Sequence, residues 1–436
     1  MSIDYHALFD TPPDRNGSDS LKWSKYAGRK TADGLDILPM WVADMDFAAP
    51  PEVISALQQR INHGVFGYGH TSAEFSQAIV GAMQRDYGWA IQPEWIVPMS
   101  GLVSALNVAA RSIGERGDAI LTSTPVYPAL FTAPTHMERE CICVPLAEQP
   151  EWAWDMDVVK KAITPRTRGL MLCHPHNPIG RVWSTAELTA IAECAETHDL
   201  VIVSDEIHCD LILEQGLRHQ PMASLSPELA HRTITLMAPS KTYNIPGLGV
   251  ALAIIPDTGL RQRFHNAMAG ITPHPNILGM AATAAAYEKA SNWRSALLDY
   301  LRHNRDRVMS LNGLAGLKVI RPQSTYLAWL DCRALPTDNA IALFENAGVG
   351  LSDGCDFGRG QRLDVCGVSG FCLARVLLAD GVRHAGRHGG IGWLGAYTGR
   401  DFGRAIAGRF ARGAALCGWP FAKHHRWPHR CFHPAT

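Results

Sequence analysis

The 436-residue chain lacks the features that mark several classes of protein. No uninterrupted apolar run reaches the roughly 18 residues that a membrane-spanning helix needs. The start, MSIDYHALFD, has no apolar core of the kind that a signal peptide carries. Acidic and basic residues nearly cancel, to a formal net charge of −1, which does not favour a nucleic acid or a membrane surface as a partner. We therefore expect a cytoplasmic protein with neither kind of partner.

The cysteines and histidines form no recognisable metal motif. Eleven cysteines are scattered along the chain without a C-x-x-C pair, although Cys141 and Cys143 stand two apart. Nineteen histidines include no H-E-x-x-H stretch. We expect no metal site, and reduced, mostly buried thiols.

Length and composition predict more than one domain. Hydrophobic residues make up 47% of the chain and charged residues 19%, as in ordinary globular proteins. We predict an N-terminal segment (1–49) that contributes to a small domain, a large α/β domain (50–290), a small α+β domain (291–383) and an atypical tail (384–436). The tail has one acidic residue, Asp401, against eight Lys or Arg and six His, which is typical of a disordered or out-of-frame extension.

Short apolar runs alternate with helical patterns in the large domain. The predicted strands are Ala119–Thr122, Arg168–Cys173, Leu200–Ser204, Thr233–Met237 and Val250–Ile255, with helical spacing in stretches such as Thr185–Thr197. This alternation favours a mainly parallel sheet, which binds ligands at the carboxyl ends of its strands. Further along, a helix over Arg294–Leu311 and strands over Leu317–Ile320 and Thr325–Leu330 are expected in the small domain.

The strongest chemical feature is Lys241, in the stretch A-P-S-K-T-Y-N-I-P-G that follows the strand Thr233–Met237. A lone lysine is most often a solvated surface residue. Here an apolar strand precedes it and a proline–glycine turn follows it, so a partly desolvated amine is expected. Such an amine has a lowered pKa and can form an imine with an aldehyde.

Polar groups follow two other predicted strands. Asp205, in V-S-D-E-I-H, could pair with a cationic ring nitrogen, or could simply cap a helix. Asn177, in C-H-P-H-N-P-I-G, lies between prolines that hold its amide in a defined direction, where it could bond a ring oxygen. On its own, that second stretch indicates only a rigid turn.

Two further stretches stand near strand ends. The turn at Gly101 leads into the helical run Ser104–Ile113, whose start would present N–H groups to an anion. Tyr127, in T-P-V-Y-P, could lie face-on to a planar ring, although core packing is the commoner role for such a tyrosine. Together the five features supply an imine lysine, an acid, an amide, an aromatic ring and a phosphate cradle.

This order of residues resembles fold-type I pyridoxal-phosphate (PLP) enzymes of the aspartate-aminotransferase type. More narrowly, the chain resembles the PatB/MalY group of cystathionine β-lyases, also called C–S lyases. The resemblance covers roughly residues 1–358 and rests on the stretches L-P-M-W-V-A-D-M-D-F (38–47), H-G-V-F-G-Y (63–68), H-N-P-I-G (176–180), S-D-E-I-H (204–208), S-K-T-Y-N-I-P (240–246) and Q-S-T-Y-L-A-W-L-D (323–331). It implies a mainly parallel seven-stranded sheet and a smaller α+β domain.

The resemblance also implies roles for the site residues. Lys241 would be the Schiff-base lysine and catalytic base, and Tyr127 would act beside it by stacking on the cofactor ring. Asp205 would pair with the ring nitrogen and Asn177 with the ring oxygen, while His208 stands where many aminotransferases carry a tyrosine. The phosphate would be bound by Gly101, Leu102 and Ser240, and by Tyr68 from the second subunit of a homodimer.

One part of the family pattern is interrupted. The family places an arginine for the substrate carboxylate soon after a D-F-G stretch, which here is Asp356–Gly358. Arg362, in R-L-D, is the nearest match, and Arg375 is its competitor. A planar guanidinium that grips a carboxylate at two points is difficult to replace.

The predicted activity is therefore a PLP-dependent cleavage of cystathionine, or of a related S-substituted cysteine, to a thiol, pyruvate and ammonia. An aminotransferase would share Lys241 and Asp205, so those residues do not distinguish it from a lyase. Two further hypotheses fit the same sequence: a PLP-binding regulatory protein with weak lyase activity, and a damaged enzyme.

Overall fold

The computed structural model describes residues 3–358 and the strand 371–375. The described strands are β1 (Leu38–Pro39), β2 (Ile96–Met99), β3 (Ala119–Thr124), β4 (Glu140–Pro145), β5 (Thr167–Cys173), β6 (Val201–Asp205), β7 (Thr233–Met237), β8 (Ala251–Ile254), β9 (Lys318–Ile320), β10 (Leu327–Asp331), β11 (Val349–Gly350), β12 (Ser352–Asp353) and β13 (Phe371–Arg375). The predicted tail, 384–436, and Arg362 lie outside the described residues.

The described helices are α1 (Tyr5–Asp10), α2 (Leu21–Ser24), α3 (Pro51–Asn62), α4 (Ala73–Tyr87), α5 (Leu102–Ser112), α6 (Ala129–His136), α7 (Met156–Ala162), α8 (Thr185–Thr197), α9 (Pro227–Ala230), α10 (Thr258–Met268), α11 (Ile277–Lys289), α12 (Ser291–Met309) and α13 (Ala340–Asn346). Local sequence explains several boundaries. Helix α8 begins at a capping box, in which the Ser184 hydroxyl and the Glu187 carboxylate each accept a backbone N–H of the first turn. Helix α4 ends at Gly88, whose φ of +64° suits the left-handed cap. In the part of the chain that is described, no helix is both long and apolar enough to cross a bilayer.

Seven strands form the central sheet, in the order β2-β8-β7-β6-β5-β3-β4. Strands β3 to β7 run parallel to one another, and β8 runs antiparallel to both of its neighbours, β2 and β7. The mainly parallel, seven-stranded sheet predicted above is therefore confirmed. Strands β7 and β8 are buried at every position because helices cover both faces of the sheet.

A second sheet has the order β12-β13-β10-β9 and is antiparallel. The predicted long helix appears as α12 and the two predicted strands as β9 and β10. Thr325 does not join β10, because its φ of +68° breaks the extended backbone.

The N-terminal segment contacts both parts of the structure. Strand β1 pairs in parallel with β11. Phe9 of α1 is fully buried, with its ring 4.9 Å from that of Phe47 and 5.4 Å from that of Trp293 in α12. The chain ranges assigned to separate domains stay a prediction, but these contacts agree with an N-terminal segment that joins the small domain.

Candidate active site

A cavity of about 190 Å³ opens at the carboxyl ends of β5, β6 and β7. This is the edge at which ligand binding is expected in a parallel sheet. The cavity brings together eight residues singled out from the sequence: Gly101, Leu102, Tyr127, Asn177, Asp205, His208, Ser240 and Lys241. Residues without a predicted role complete the lining: Ala43, Val103, Cys173, Ile207, Pro246, Gly249 and Val250.

Lys241 lies four residues beyond the end of β7 and is half-buried in the cavity wall. Its Nζ atom donates a hydrogen bond of 2.7 Å to the carbonyl oxygen of Ala43. The next turn contains Asn244, whose φ of +54° lies in the left-handed region that asparagine tolerates. The lysine is thus held at the sheet edge by its loop and by a backbone acceptor from the N-terminal segment.

Asp205 ends β6 and is 2% exposed. Its Oδ1 atom accepts a hydrogen bond from the backbone N–H of Ile207, at 3.2 Å. Burial raises the pKa of this carboxyl to about 7; the neighbouring Glu206 adds to the rise, while Ile207 and Lys241 oppose it. A cationic group placed in the cavity would favour the ionised carboxylate.

Glu206 lies beneath Asp205 and carries a network that sequence reasoning did not assign. Its carboxylate accepts hydrogen bonds from the Ser204 hydroxyl (2.7 Å) and the Met222 N–H (3.0 Å), and lies 2.7 Å from the His219 ring. Burial raises the pKa of Glu206 to about 7 and lowers that of His219 to about 3. The stretch S-D-E-I-H was noted as a motif, but nothing in it indicates the distant His219.

Two polar atoms in the lining have no hydrogen-bond partner among the described residues. They are Oδ1 of Asn177 and Nδ1 of His208, both buried. Burial, together with the charge of Lys241, lowers the pKa of His208 to about 3, so its ring is neutral. Because buried polar atoms are normally paired, these two indicate a ligand that supplies the missing bonds.

Hydrogen bonds join the loop after β5, which carries Asn177, to the loop after β3, which carries Tyr127. The Tyr127 N–H donates to the Asn177 carbonyl oxygen at 3.0 Å. Nε2 of the buried His176 lies 2.7 Å from the carbonyl oxygen of Pro125 and joins the same two loops. Asn177 and Tyr127 both line the cavity from these joined loops.

Gly101 and Leu102 bring the start of α5 to the cavity. Gly101 has a φ of +108°, which glycine adopts without strain and which turns the chain directly into the helix. The first N–H groups of an 11-residue helix and the positive end of its dipole therefore face the cavity, beside Ser240.

The remaining predicted residues lie elsewhere. Tyr68 is fully exposed in an irregular stretch between α3 and α4 and does not line the cavity of its own chain. Arg375 ends β13 opposite Leu327 of β10, and its side chain is not described. In the described part of the chain, no group of three or more His, Cys, Asp or Glu residues is placed to hold a metal ion.

Known proteins are similar to this chain in both sequence and fold. The model of the family described as aminotransferase class I and II matches residues 36–368. Cystathionine beta-lyase PatB of Bacillus subtilis (strain 168) is 36% identical over 387 residues, which cover 86% of this chain and 98% of PatB. The chain belongs to the class I and II aminotransferase family, within its PatB/MalY group.

Solved structures of this family agree with the architecture described above. The crystal structure of OvoB is 39% identical, with a TM-score of 0.82 over 93% of this chain and 98% of OvoB. Cystalysin from Treponema denticola, whose crystal structure contains a pyridoxal 5′-phosphate cofactor, is 29% identical, with a TM-score of 0.82 over 95% of this chain and 100% of cystalysin. The expected fold-type I architecture is confirmed. The resemblance to the PatB/MalY group, on which the prediction of pyridoxal phosphate rests, is confirmed as well.

Proposed function

We propose that this protein is a PLP-dependent C–S β-lyase. It cleaves cystathionine or a related S-substituted cysteine, with water, to a thiol, pyruvate and ammonia. The observation that carries the proposal is the convergence of Lys241, Asp205 and Asn177 on one cavity at the carboxyl edge of the sheet. The relative named cystathionine beta-lyase PatB supports the choice of a lyase over an aminotransferase.

The described residues fit each part of the cofactor. Lys241 would hold the aldehyde carbon through its Nζ atom, and Asp205 would pair with the ring nitrogen. The unpartnered amide of Asn177 would reach the ring oxygen, by Nδ2 after a half-turn of the amide. His208 and Tyr127 would border the ring. When bound, pyridoxal phosphate supplies an electron sink for the bonds around the substrate Cα atom.

The phosphate would lie at the start of α5. The backbone N–H groups that follow Gly101, including that of Leu102, and the hydroxyl of Ser240 can donate hydrogen bonds to it. The positive end of the helix dipole adds a favourable interaction with the phosphate charge.

Lys241 would move the protons of the reaction. Its amine would take the proton from the substrate Cα atom, and the thiolate would then leave from Cβ. The hydrogen bond to the Ala43 carbonyl oxygen would hold this amine between proton transfers. The ionised carboxylate of Asp205 would keep the ring nitrogen protonated.

We also propose that the enzyme works as a homodimer. Tyr68 would reach over to the phosphate of the partner's cofactor. In the sequence before Tyr68, the side chains of Ile54, Ile61, Val65 and Phe66 are between 45% and 61% exposed, and a second copy would bury such apolar side chains.

The substrate carboxylate would be bound by Arg362, with Arg375 as its competitor. Arg375 ends strand β13, which pairs with β10 of the small sheet, and Arg362 precedes that strand by nine positions in the sequence. Six of the described cysteines, Cys141, Cys143, Cys173, Cys194, Cys209 and Cys332, are free thiols, which supports placing the enzyme in the reducing cytoplasm.

The test is an assay that separates lyase from aminotransferase chemistry. Purified protein with bound cofactor is given cystathionine, with and without an added 2-oxo acid, and pyruvate, thiol and new amino acid are measured. Equal release of pyruvate and thiol without the 2-oxo acid is the expected result. Amino-group transfer without pyruvate release would instead assign an aminotransferase, and neither product would reject both activities.

A further inference from the structure

Ala43 begins the segment 43–47 and lines the cavity with Lys241. Its carbonyl oxygen accepts hydrogen bonds from Lys241 Nζ (2.7 Å) and from the Tyr326 hydroxyl (3.1 Å). The position of this oxygen therefore helps to set where the lysine amine lies. Because the oxygen belongs to the backbone, its position depends on what holds the segment.

Asn244 holds the segment from the side of the lysine. Its Oδ1 atom accepts the N–H of Met45 at 2.9 Å, and its Nδ2 atom donates to the carbonyl oxygens of Met45 (2.8 Å) and Phe47 (2.7 Å). The three bonds use both ends of the amide. They join the loop of Lys241 to the N-terminal segment.

Charged residues hold the same segment from the outer side. Asp46 is 7% exposed, and its carboxylate accepts from Lys22 Nζ (2.5 Å), Arg15 (2.8 Å) and the Trp23 indole N–H (3.0 Å). Arg15 also donates to Asp44 (2.9 Å) and to the Met45 carbonyl oxygen (3.2 Å). We call Arg15, Lys22, Asp44 and Asp46 the N-terminal clamp.

The clamp contains two cations and two carboxylates, and its Lys22 and Asp46 are buried. Lys22 is only 1% exposed, and its amine also donates to the Asp44 carbonyl oxygen at 3.3 Å. Burial alone would raise the pKa of Asp46, but Lys22, Trp23 and Arg15 outweigh it and hold the pKa below its ordinary value. Buried ion pairs of this kind are weak stabilisers compared with apolar residues of the same volume, but they fix geometry through directed bonds.

We propose that the N-terminal clamp positions the Ala43 carbonyl oxygen and, through it, the amine of Lys241. Its members are positioning residues. Lys22 and Arg15 donate hydrogen bonds to the carbonyl oxygens of Asp44 and Met45, which directly follow Ala43 in the chain. The proposal rests on the proposed role of Lys241. A loosened clamp would leave cofactor and substrate contacts in place but would let the acceptor of the lysine amine drift.

The test compares two buried cations that differ in what they hold. Lys22→Met removes one of the two clamp cations, the more deeply buried one. Arg305→Met removes a cation that is 5% exposed and pairs with Glu214 (3.4 Å) away from the cavity, so it controls for the loss of a buried ion pair. Should the single variant fail to fold, the double variant Lys22→Met/Asp46→Leu removes the whole Lys22–Asp46 ion pair, so that neither partner is left buried alone.

The first measurement needs no substrate. The rate at which pyridoxal phosphate attaches to the apoprotein is followed by cofactor absorbance, beside thermal unfolding of each variant. Loss of one charge-assisted contact predicts attachment about tenfold slower, or more, in both clamp variants and a rate near that of wild type in Arg305→Met. Equal rates in clamp variants and control, at matched stability, would overturn the proposal.

The second measurement is kinetic. If wild type releases pyruvate, the clamp variants are expected to lose kcat about tenfold while KM changes little, because the substrate contacts are intact. A rise in KM with unchanged kcat would contradict the positioning role. If wild type releases no pyruvate but attaches the cofactor, the proposed function fails and the clamp is judged by the attachment rates alone.

Discussion

The side-chain amine of Lys241 and the carbonyl oxygen of Ala43 lie 2.7 Å apart, although 198 positions separate them in the chain. The pair joins the two parts of the molecule on which the account depends, the lysine loop after β7 and the segment that follows β1. The roles that this arrangement assigns to single residues can be tested by substitution.

Replacing Asp205 with asparagine removes the charge but keeps the shape. The buried carboxylate would no longer favour a protonated ring nitrogen, so we expect kcat to fall about 10- to 100-fold, the usual size of one charge-assisted hydrogen bond. Asp205→Glu keeps the charge one methylene further out and should lose less. Steady-state kinetics at saturating cofactor measure both. An Asp205→Asn enzyme with the kcat of wild type would remove Asp205 from the mechanism.

His176 predicts a specific pH dependence of stability. Burial lowers its pKa from 6.5 to about 4, so between those pH values the unfolded chain binds a proton that the folded chain does not. Its stabilising contribution is complete above pH 6.5 and is lost as the pH falls towards 4, by roughly 3 kcal/mol in all. In His176→Gln, whose amide can still donate to Pro125, the free energy of unfolding should fall less steeply across this range. Urea unfolding of both proteins at a series of pH values measures this difference. Identical slopes of the free energy of unfolding against pH would show that His176 does not contribute to the pH dependence of stability.

Tyr68 and Lys241 predict complementation between two defective chains. In a homodimer with shared sites, Tyr68→Ala damages the partner's site and Lys241→Ala damages its own. Refolding equal amounts of the two variants together should make half of the dimers hybrids, and each hybrid contains one intact site of two. The mixture should therefore show about a quarter of wild-type activity at limiting cofactor. Each variant refolded alone serves as the control. Activity of the mixture no greater than the average of the two would count against shared sites.

The two arginines after the D-F-G stretch can be separated by the Michaelis constant. Loss of a two-point contact with the substrate carboxylate should raise KM about 10- to 100-fold. We expect this in Arg362→Ala and not in Arg375→Ala, with both proteins still binding cofactor. The opposite pattern would assign the contact to Arg375, and unchanged KM in both would place it elsewhere.

The sequence indicated most of the sheet because its interior strands are short apolar runs. Strands β2 and β4 were not predicted: they lie at the two edges, where β2 contains Pro98 and β4 is partly exposed. Edge strands need less continuous apolar sequence, because one side meets no neighbouring strand.

The predicted site residues carried their own signals: most follow a predicted strand, and Gly101 and Leu102 precede a predicted helix. Ala43 carried none, because a backbone carbonyl can come from any residue. Asn244 and Glu206 stand inside recognised stretches, yet their partners Met45 and His219 are distant in sequence and could be identified only in the folded chain. Tyr68 does not line this cavity within its own chain, so its predicted role depends on the proposed second copy.

The central claim, that Lys241 anchors the cofactor and carries the chemistry, is tested most directly by one paired experiment. Wild type and Lys241→Ala are each incubated with pyridoxal phosphate and cystathionine while cofactor absorbance and pyruvate are recorded together. Lys241→Ala is expected to lose both the absorbance of covalently held cofactor and the release of pyruvate. An unchanged cofactor spectrum in Lys241→Ala, or pyruvate release at the rate of wild type, would contradict it.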